Sequence, residues 1–528
     1  MERTKKVGLR IGVILGLIGV VSFVGCSDNS QKDTTSYETK VKIEATADDS
    51  YSTSKVDLGM NSMDELAGET SYSINLNQIG YRPKDKKIAA VSNNNGVDTY
   101  HVLDGSGNTV YSGKLTGRSW DSVTNSLVQY ADFSMFTEPG SYYLICGDEL
   151  YSDEFTIGED VYQEYYDAIG KYFSDVWEKA NLLREDKNSD QFTASLYNTD
   201  KKIDVTGGWY DLRERGQFTV DSCTTIGSLF LLYDIYHNID LKEDDEKALQ
   251  PELLLRLIKQ ELEWLMKLQN AQGGVYHKVT VEDDENQNDE LYVYPVSTCA
   301  TADFSAIMAK AYQYYEKSDW EFANSCLTAA QKAWMFLENE ESNIIFTNPD
   351  SVSTSEYTDD DDRDERFWAA VELSLTTKRP DYVDYVTKTI DTGFYIGFTW
   401  QKVAGYAVYD AVIDGKEIFS TDTYARMQSL METKVSSIQN HVNTTTYQVS
   451  FDSSVTFQTI ISEAITLYLM GWHNMQLEVS NGANVFLDYL MGANSNSENY
   501  VGESMQISNL DMDYIAKIGL LLVGINER

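Results

Sequence analysis

The run Gly207-Gly208-Trp209-Tyr210-Asp211-Leu212-Arg213-Glu214-Arg215-Gly216-Gln217-Phe218 carries the densest set of groups that can do chemistry. Two glycines permit a sharp backbone turn ahead of an aromatic, and Asp211 and Glu214 stand one helical turn apart if a helix starts there. Two such carboxylates can hold one water between them. The same spacing also suits a helix start in which Asp211 caps and Glu214 closes a capping box or pairs with Arg213 or Arg215. A second acidic run, Asp359 to Asp362 followed by Asp364 and Glu365, offers oxygen ligands of the kind Ca²⁺ takes. It lacks EF-hand spacing and the obligatory glycine, so a solvated helix N-terminus is the better reading and no cofactor is required. The five histidines, at 101, 237, 277, 441 and 473, form no metal-ligand spacing. His277 is the one to watch, because Gly273-Gly274-Val275-Tyr276-His277 leaves a helix at a loop; the alternative is a surface histidine. With no GxSxG elbow, Walker loop or GxGxxG run, carboxylates are the catalysts left to consider.

Helices must position these groups. Leu254, Leu257, Ile258, Leu262, Leu265 and Leu268 share one face of the stretch from Pro251 to Gln269, the spacing of an amphipathic helix. Stripes through Phe304, Ile307, Met308, Ala311, Tyr312 and Tyr315, and through Phe322, Cys326, Ala330, Ala333, Trp334 and Leu337, predict an αα-hairpin. More helical stretches follow from Phe367 to Met512 and beyond, and the unusual residues fall in the loops between them. Helix pairs over residues 159–528 suggest a closed α/α toroid with a loop-built cleft at one end. No fixed-period repeat points to an open solenoid.

Ahead of them, residues 71–158 change period. Ile88-Ala89-Ala90-Val91, Tyr100-His101-Val102-Leu103, Thr109-Val110-Tyr111, Ser141-Tyr142-Tyr143-Leu144-Ile145 and Phe155-Thr156-Ile157 alternate between turns rich in Gly and Asn, which reads as a β-sandwich.

The chain of 528 residues holds 83 Asp plus Glu against 42 Lys plus Arg, a net charge of −41. That excludes a nucleic-acid binder, which needs clustered cations, and it favours neutral partners. At 42% hydrophobic and 12% aromatic residues, a packed core is assured. Arg3, Lys5, Lys6 and Arg10 precede the apolar run Ile11 to Gly25, and Cys26 follows. That run is too short to span a bilayer and reads as an export signal. Phe23-Val24-Gly25-Cys26 resembles a bacterial lipobox, so residues 1–26 are expected to be a lipoprotein signal with Cys26 lipidated, and the protein is expected at the bacterial cell surface, held to the membrane only by that anchor. Residues 27–70, rich in Ser, Thr, Asp, Lys and Glu, are expected to be a disordered tether. The other cysteines, 146, 223, 299 and 326, are too few and scattered for a disulfide framework.

Several motifs resemble glycoside hydrolase family 9, the inverting cellulases, in the subgroup with an N-terminal immunoglobulin-like module. Asn77-Gln78-Ile79-Gly80-Tyr81-Arg82-Pro83, Asp132-Phe133-Ser134 and Pro139-Gly140-Ser141-Tyr142-Tyr143 look like that module's opening and closing strands. Gly207-Gly208-Trp209-Tyr210-Asp211 is similar to the family's GGWxDAGD, and Glu263-Trp264-Leu265-Met266-Lys267-Leu268-Gln269 to its EWLLKMQ helix. Ala300-Thr301-Ala302-Asp303-Phe304, Asp364-Glu365-Arg366-Phe367-Trp368-Ala369-Ala370 and Asp488-Tyr489-Leu490-Met491-Gly492-Ala493-Asn494 resemble further family segments, in the family's order. The resemblance implies an immunoglobulin-like β-sandwich followed by an all-α (α/α)6 barrel, and a polysaccharide partner, β-glucan or a related plant polymer.

It also implies a mechanism. An inverting glycosidase needs a base that activates water and an acid that protonates the leaving oxygen, about 6.5–9.5 Å apart. By resemblance Asp211 and Glu214 hold the water; Trp209, Tyr276, His277 and Tyr514 are the expected sugar contacts. The family has Asp where Glu214 stands, and one methylene moves the carboxylate by about 1.5 Å, a scale of misplacement that can cost about a hundredfold. The family's acid position, counted back from Asp513-Tyr514, is occupied by Asn509, whose amide has no proton to give. Where the family carries substrate-binding histidines and an arginine, only Glu503 to Leu510 stand, and Glu503 is the nearest carboxylate that could replace the acid. Three functions follow as expectations: a surface-tethered glycosidase with impaired catalysis, a decayed barrel that captures glucan without cleaving it, or a structural or adhesion lipoprotein whose barrel only displays the β-sandwich.

Overall fold

A computed structural model describes residues 73–92, 96–121, 126–185, 193–211, 216–238, 251–283, 290–340, 342–449, 457–473, 477–504 and 510–526. Cys26, the tether, Glu214 and Asn509 lie outside the described residues.

The first part is a β-sandwich of ten strands: β1 (Ser73–Asn75), β2 (Gly80–Tyr81), β3 (Ile88–Ser92), β4 (Thr99–Asp104), β5 (Thr109–Lys114), β6 (Thr116–Asp121), β7 (Ser126–Asp132), β8 (Gly140–Cys146), β9 (Leu150–Tyr151) and β10 (Phe155–Ile157). One sheet runs β1-β3-β7-β6; the other runs β2-β10-β8-β4-β5, with β9 on β8 and β2 parallel to β10. Alternate residues face inward, as period two demands. Tyr81, Phe133, Tyr142 and Phe155 meet there as an aromatic cluster, with Tyr81 edge-on to Phe133 at 5.4 Å between centroids.

Twelve α-helices follow among the described residues: α1 (Gln163–Glu185), α2 (Thr219–Asn238), α3 (Pro251–Leu265), α4 (Thr298–Tyr315), α5 (Trp320–Asn339), α6 (Arg363–Thr377), α7 (Pro380–Thr389), α8 (Ala404–Asp414), α9 (Thr421–Val442), α10 (Phe457–His473), α11 (Leu477–Leu490) and α12 (Met512–Asn526). The even-numbered helices pack in a closed ring, each on the next and α12 back on α2, and the odd-numbered helices pack outside against their partners. This is the expected (α/α)6 barrel behind an immunoglobulin-like sandwich. Inner helices are buried on nearly every face; all of α4 from Thr298 to Ala311 is out of solvent. Where burial runs all round, polar and apolar residues need not separate into faces, and α2, nearly all of it out of solvent, does not stand out in the sequence. The four cysteines beyond Cys26 are free buried thiols.

Loops ahead of the inner helices build short strands at one mouth of the ring: β11 (Thr193–Leu196), β12 (Lys202–Asp204), β13 (Gly216–Phe218), β14 (Val275–Tyr276), β15 (Lys278–Thr280), β16 (Tyr292–Val293) and β17 (Val296–Ser297). Five of them form a sheet, β12-β11-β16-β15-β13, and β14 pairs with β17. The sandwich braces the loop that leads from α11 to α12. The Gln78 N–H donates to the Met491 carbonyl at 2.9 Å, Asn75 Nδ2 to the Asn494 carbonyl at 2.7 Å, and Asn77 Nδ2 to Asp488 Oδ1 at 2.8 Å. Burial pushes Asp488 up to about 8, with the Asn77 bond acting against the shift.

Candidate active site

The glycine pair forms the turn its sequence suggests. Gly207 and Gly208 both adopt left-handed backbone, φ 82° and 77°. A Cβ at Gly208 would lie 2.4 Å from Trp264 Cγ and 2.7 Å from Gln217 Nε2, and that amide donates to the Gly207 carbonyl at 2.6 Å. Gly208→Ala therefore combines an unfavourable φ with a clash against a rigid indole, and is expected to destabilise by about 2–4 kcal/mol, read as a lowered denaturant midpoint at unchanged m-value.

Beyond the turn the Trp209 N–H donates to Glu261 Oε2, while the Ser222 hydroxyl donates to Glu261 Oε1 at 2.8 Å. Glu261 is fully buried with no cation on it, and burial raises its pKa to about 8 against the pull of these two bonds. A carboxyl whose folded pKa exceeds its unfolded value binds its proton more tightly when folded. Its contribution is complete below about pH 4.5 and is lost as pH rises through about 8. Glu261→Gln keeps an acceptor for Trp209 and a donor for Ser222 without the charge. The variant is expected to hold its melting temperature between about pH 5 and 9 better than the parent, a differential of a few kcal/mol at the alkaline end.

Asp211 stands on a bridge: its N–H donates to the Gly216 carbonyl at 2.8 Å, and the Gly216 N–H returns to the Asp211 carbonyl at 3.1 Å. The chain then runs through β13 into α2 at Thr219; Glu214, and with it the capping-box reading, lies outside the described residues. Asp211 is half-buried on the barrel mouth. Asp221 stands in the first turn of α2, and Asp511 and Asp513 at the start of α12, which packs on α2. Burial first, then the charges of Asp511, Asp513 and Asp211, push Asp221 well above the usual carboxylate range, while Lys517 opposes them. Asp513 is tied down: it pairs with Lys517 and accepts from the Ser228 hydroxyl at 3.0 Å. Asp221 is half-buried, and no group among the described residues hydrogen-bonds to its carboxylate.

Three of the expected sugar contacts need correction. The Trp209 indole is 4% exposed and the Tyr514 ring 3%, the latter packed on Phe457 at 5.0 Å, so neither shows a face to a ligand. Tyr514 is buried because α12 belongs to the inner ring. His277 is 1% exposed and is not a surface histidine either. Its Nε2 donates to the Glu356 carbonyl at 2.8 Å, its Nδ1 meets the Ser297 hydroxyl at 2.7 Å, and its ring stacks on Phe346 at 4.2 Å. Burial holds its pKa down to about 3. It is a neutral strut between two mouth loops. Tyr276, beside it, is half-buried, and its carbonyl accepts from the Thr219 hydroxyl at 2.7 Å.

Glu503 is exposed and stands against α1, beside Tyr165 and next to Ser504, which bonds Glu164. It is not among the acids whose charge is felt at Asp221. Sequence reasoning missed two aromatics. Tyr357 and Trp400, both half-buried, pack edge-on at 5.2 Å beside Val220, the neighbour of Asp221, and Tyr357 lies 5.1 Å from Phe218. Tyr357 holds φ 48°, a left-handed conformation that a bulky residue adopts only where the surroundings impose it. Nothing in the local sequence signals it.

The acidic run is not a solvated helix start. Asp359, Asp362, Asp364 and Glu365 are buried. Asp362 pairs with Arg366 at 2.9 Å, and Asp364 Oδ2 accepts from the Val403 N–H at 2.9 Å. Both oxygens of Glu365 and of the neighbouring Asp303 lack a hydrogen-bond partner. Burial, then mutual repulsion among Asp303, Asp359, Asp364 and Glu365, raises Glu365 and Asp303; burial raises Asp359 to about 7 and Asp364 to about 6. The donor types suit Ca²⁺, yet among the described residues no three His, Cys, Asp or Glu side chains come together so as to hold a metal ion. No step below is routed through one.

The profile of glycosyl hydrolase family 9 matches residues 162–507, and that of the cellulase N-terminal ig-like domain matches residues 69–150. Endoglucanase D of Acetivibrio thermocellus is 28% identical over 424 residues, 74% of this chain and 67% of that protein. The cellodextrinase of Butyrivibrio fibrisolvens is 31% identical over 327 residues, 58% of this chain and 59% of that one. A xyloglucan-specific endo-beta-1,4-glucanase of Bacteroides ovatus is 28% identical over 393 residues, 66% and 65%. The chain thus spans about two thirds or less of the length of these relatives. A solved metagenome-derived glycoside hydrolase family 9 endoglucanase superposes with a TM-score of 0.73 at 22% identity, over 86% of this chain and 99% of that one, a likeness of fold.

Proposed function

Since the chain belongs to family 9 of the glycosyl hydrolases, we propose that it hydrolyses a neutral β-glucan by inversion at the mouth where Asp211 stands. The observation that carries this reading is the bridge between Asp211 and Gly216, which lies inside the family match, leaves Asp211 half-buried and leads into β13, where Phe218 packs on Tyr357 and Tyr357 on Trp400. Asp211 takes a proton from water; the water oxygen bonds to the anomeric carbon; and the glycosidic C–O bond breaks as an acid protonates the leaving oxygen. Aromatic faces suit the apolar faces of glucose rings, and the protein's excess negative charge does not repel a neutral polymer.

A second reading is glucan capture without cleavage. The amide at Asn509 and the exposed setting of Glu503 favour it, because together they leave the expected acid positions without an acid on the cleft. The test uses the full-length chain with soluble mixed-linkage glucan. New reducing ends, lost in Asp211→Asn, support hydrolysis. Retarded migration in glucan gels without new ends selects capture, and neither result leaves only the fold. We also assign Cys26 as the lipid attachment site of a surface-tethered protein, on the strength of the apolar run and the residues before it. Radiolabelled palmitate should enter the parent in a bacterial host and not Cys26→Ala; equal labelling removes this assignment.

A further inference from the structure

A hydrolase of this kind needs a proton donor, and neither position that the sequence offers supplies one: Asn509 carries an amide, and Glu503 stands in solvent against α1. Resting on the hydrolytic reading above, we propose that Asp221 is the general acid, donating its proton to the departing glycosidic oxygen while Asp211 activates the water.

Three elements bring the necessary groups together. The bridge of Asp211 to Gly216 leads through β13 directly into α2, so Asp221 in the first turn of that helix stands at the same mouth. From the other side α12 packs on α2 and sets Asp511 and Asp513 against Asp221. Asp513 is committed to Lys517 and Ser228, and the Ser228 hydroxyl also meets the Tyr406 hydroxyl at 2.8 Å. Asp221 is the member of the group with part of its side chain open and no hydrogen bond to its carboxylate among the described residues. The aromatic pair Tyr357 and Trp400 packs against the cluster of Val220, Cys299 and Ala300, the first of which immediately precedes Asp221.

Two carboxyls near one another divide the work when their surroundings separate their proton affinities. Around Asp221, burial and the charges of Asp511, Asp513 and Asp211 all favour the protonated form, with only Lys517 opposing. That is the state an acid must hold before the reaction. The proton passes to the leaving oxygen as the C–O bond breaks, and Asp221 is left as a carboxylate. Release of the product and exchange with water return the proton.

The test compares two substrates. Mixed-linkage β-glucan has a poor leaving group and needs the acid; 2,4-dinitrophenyl β-cellobioside has a leaving group that departs without a proton. Asp221→Asn is expected to lower turnover of the glucan by about 10²–10⁴-fold, the usual size of general-acid catalysis, and to leave the dinitrophenyl substrate within about tenfold of the parent. Asp211→Asn should lose both. Asp221→Glu, which keeps a proton donor, should recover part of the glucan activity, and it takes the place of the amide variant if that does not fold. The proposal is overturned if Asp221→Asn leaves glucan turnover intact, if it lowers both substrates alike in a folded protein, or if the leaving-group dependence falls on Asp511→Asn instead. A parent that cleaves neither substrate sinks the hydrolytic reading itself, and this inference with it.

Discussion

Asp211→Asn is expected to lower β-glucan turnover by about 10²–10⁴-fold while the melting temperature stays level or rises. The Asp211 backbone is held by paired bonds with Gly216, and an amide in place of the carboxylate keeps those bonds. What disappears is the base that takes the proton from water, a contribution of that size. The charge removed had been standing near Asp221, itself crowded by Asp511 and Asp513. Relief of that repulsion acts in favour of the folded state. Loss of activity with no loss of stability is the mark of a group kept for function at some cost to the fold. Initial rates on glucan and a thermal melt on the same preparation decide the matter. A residue that only shaped the bridge would instead lose stability and activity together, and gel retardation by glucan would weaken in parallel.

The architecture was legible because two periods divide the chain. Alternation near Ile88 and Tyr142 became strands, and the stripe from Leu254 to Leu268 became α3 and a short turn after it. Helix α2 carried no stripe because burial all round asks for none. The candidate site was legible only in part. Gly207 and Gly208 announced a turn through their lack of Cβ, and Asp211 was found by its place after it. The bridge from Asp211 to Gly216 is a pairing that local spacing does not decide. His277, Trp209 and Tyr514 read as ligand contacts because polar and aromatic residues beside glycines and loops suit that role equally well. Their burial is set by Phe346, Ser297 and Phe457, which come from distant parts of the chain. Asp221 gave no signal at all: within its own segment it is one more acid in a helix's first turn, and only the approach of α12 makes it unusual. The run from Asp359 to Glu365 shows the same limit, since its burial is imposed by Asp303 on α4 and by the backbone of Val403.

The far mouth of the barrel holds the group whose loss should cost the fold most. Lys310 on α4 is 5% exposed and pairs with Asp410 of α8, with Glu372 of α6 at 3.9 Å; its charge is also felt by Asp234 of α2, which accepts from the Tyr314 hydroxyl at 2.6 Å. Burial works against the ammonium, yet the three acids outweigh it and hold its pKa above the ordinary lysine value. These side chains, with Gln313, Tyr409 and Asp414, line a cavity of about 310 Å³. Lys310→Met removes the one cation from that set and leaves Glu372, which is wholly buried, and Asp410 facing each other without it. Breaking a buried pair from one side costs about 3–5 kcal/mol, because the uncompensated charge stays in the core. Neutralising the acids as well, in Lys310→Met with Glu372→Gln and Asp410→Asn, should return most of that loss, since a neutral set carries no such charge. The single variant should also gain stability as pH is lowered from about 8 to 5, because the orphaned carboxyls then bind protons more tightly in the folded chain than in the unfolded one. Denaturant unfolding of both variants across that range checks all three expectations. A single variant as stable as the parent at pH 8, or a triple variant no better than the single, would show that these charges are not what fastens the four inner helices at this end.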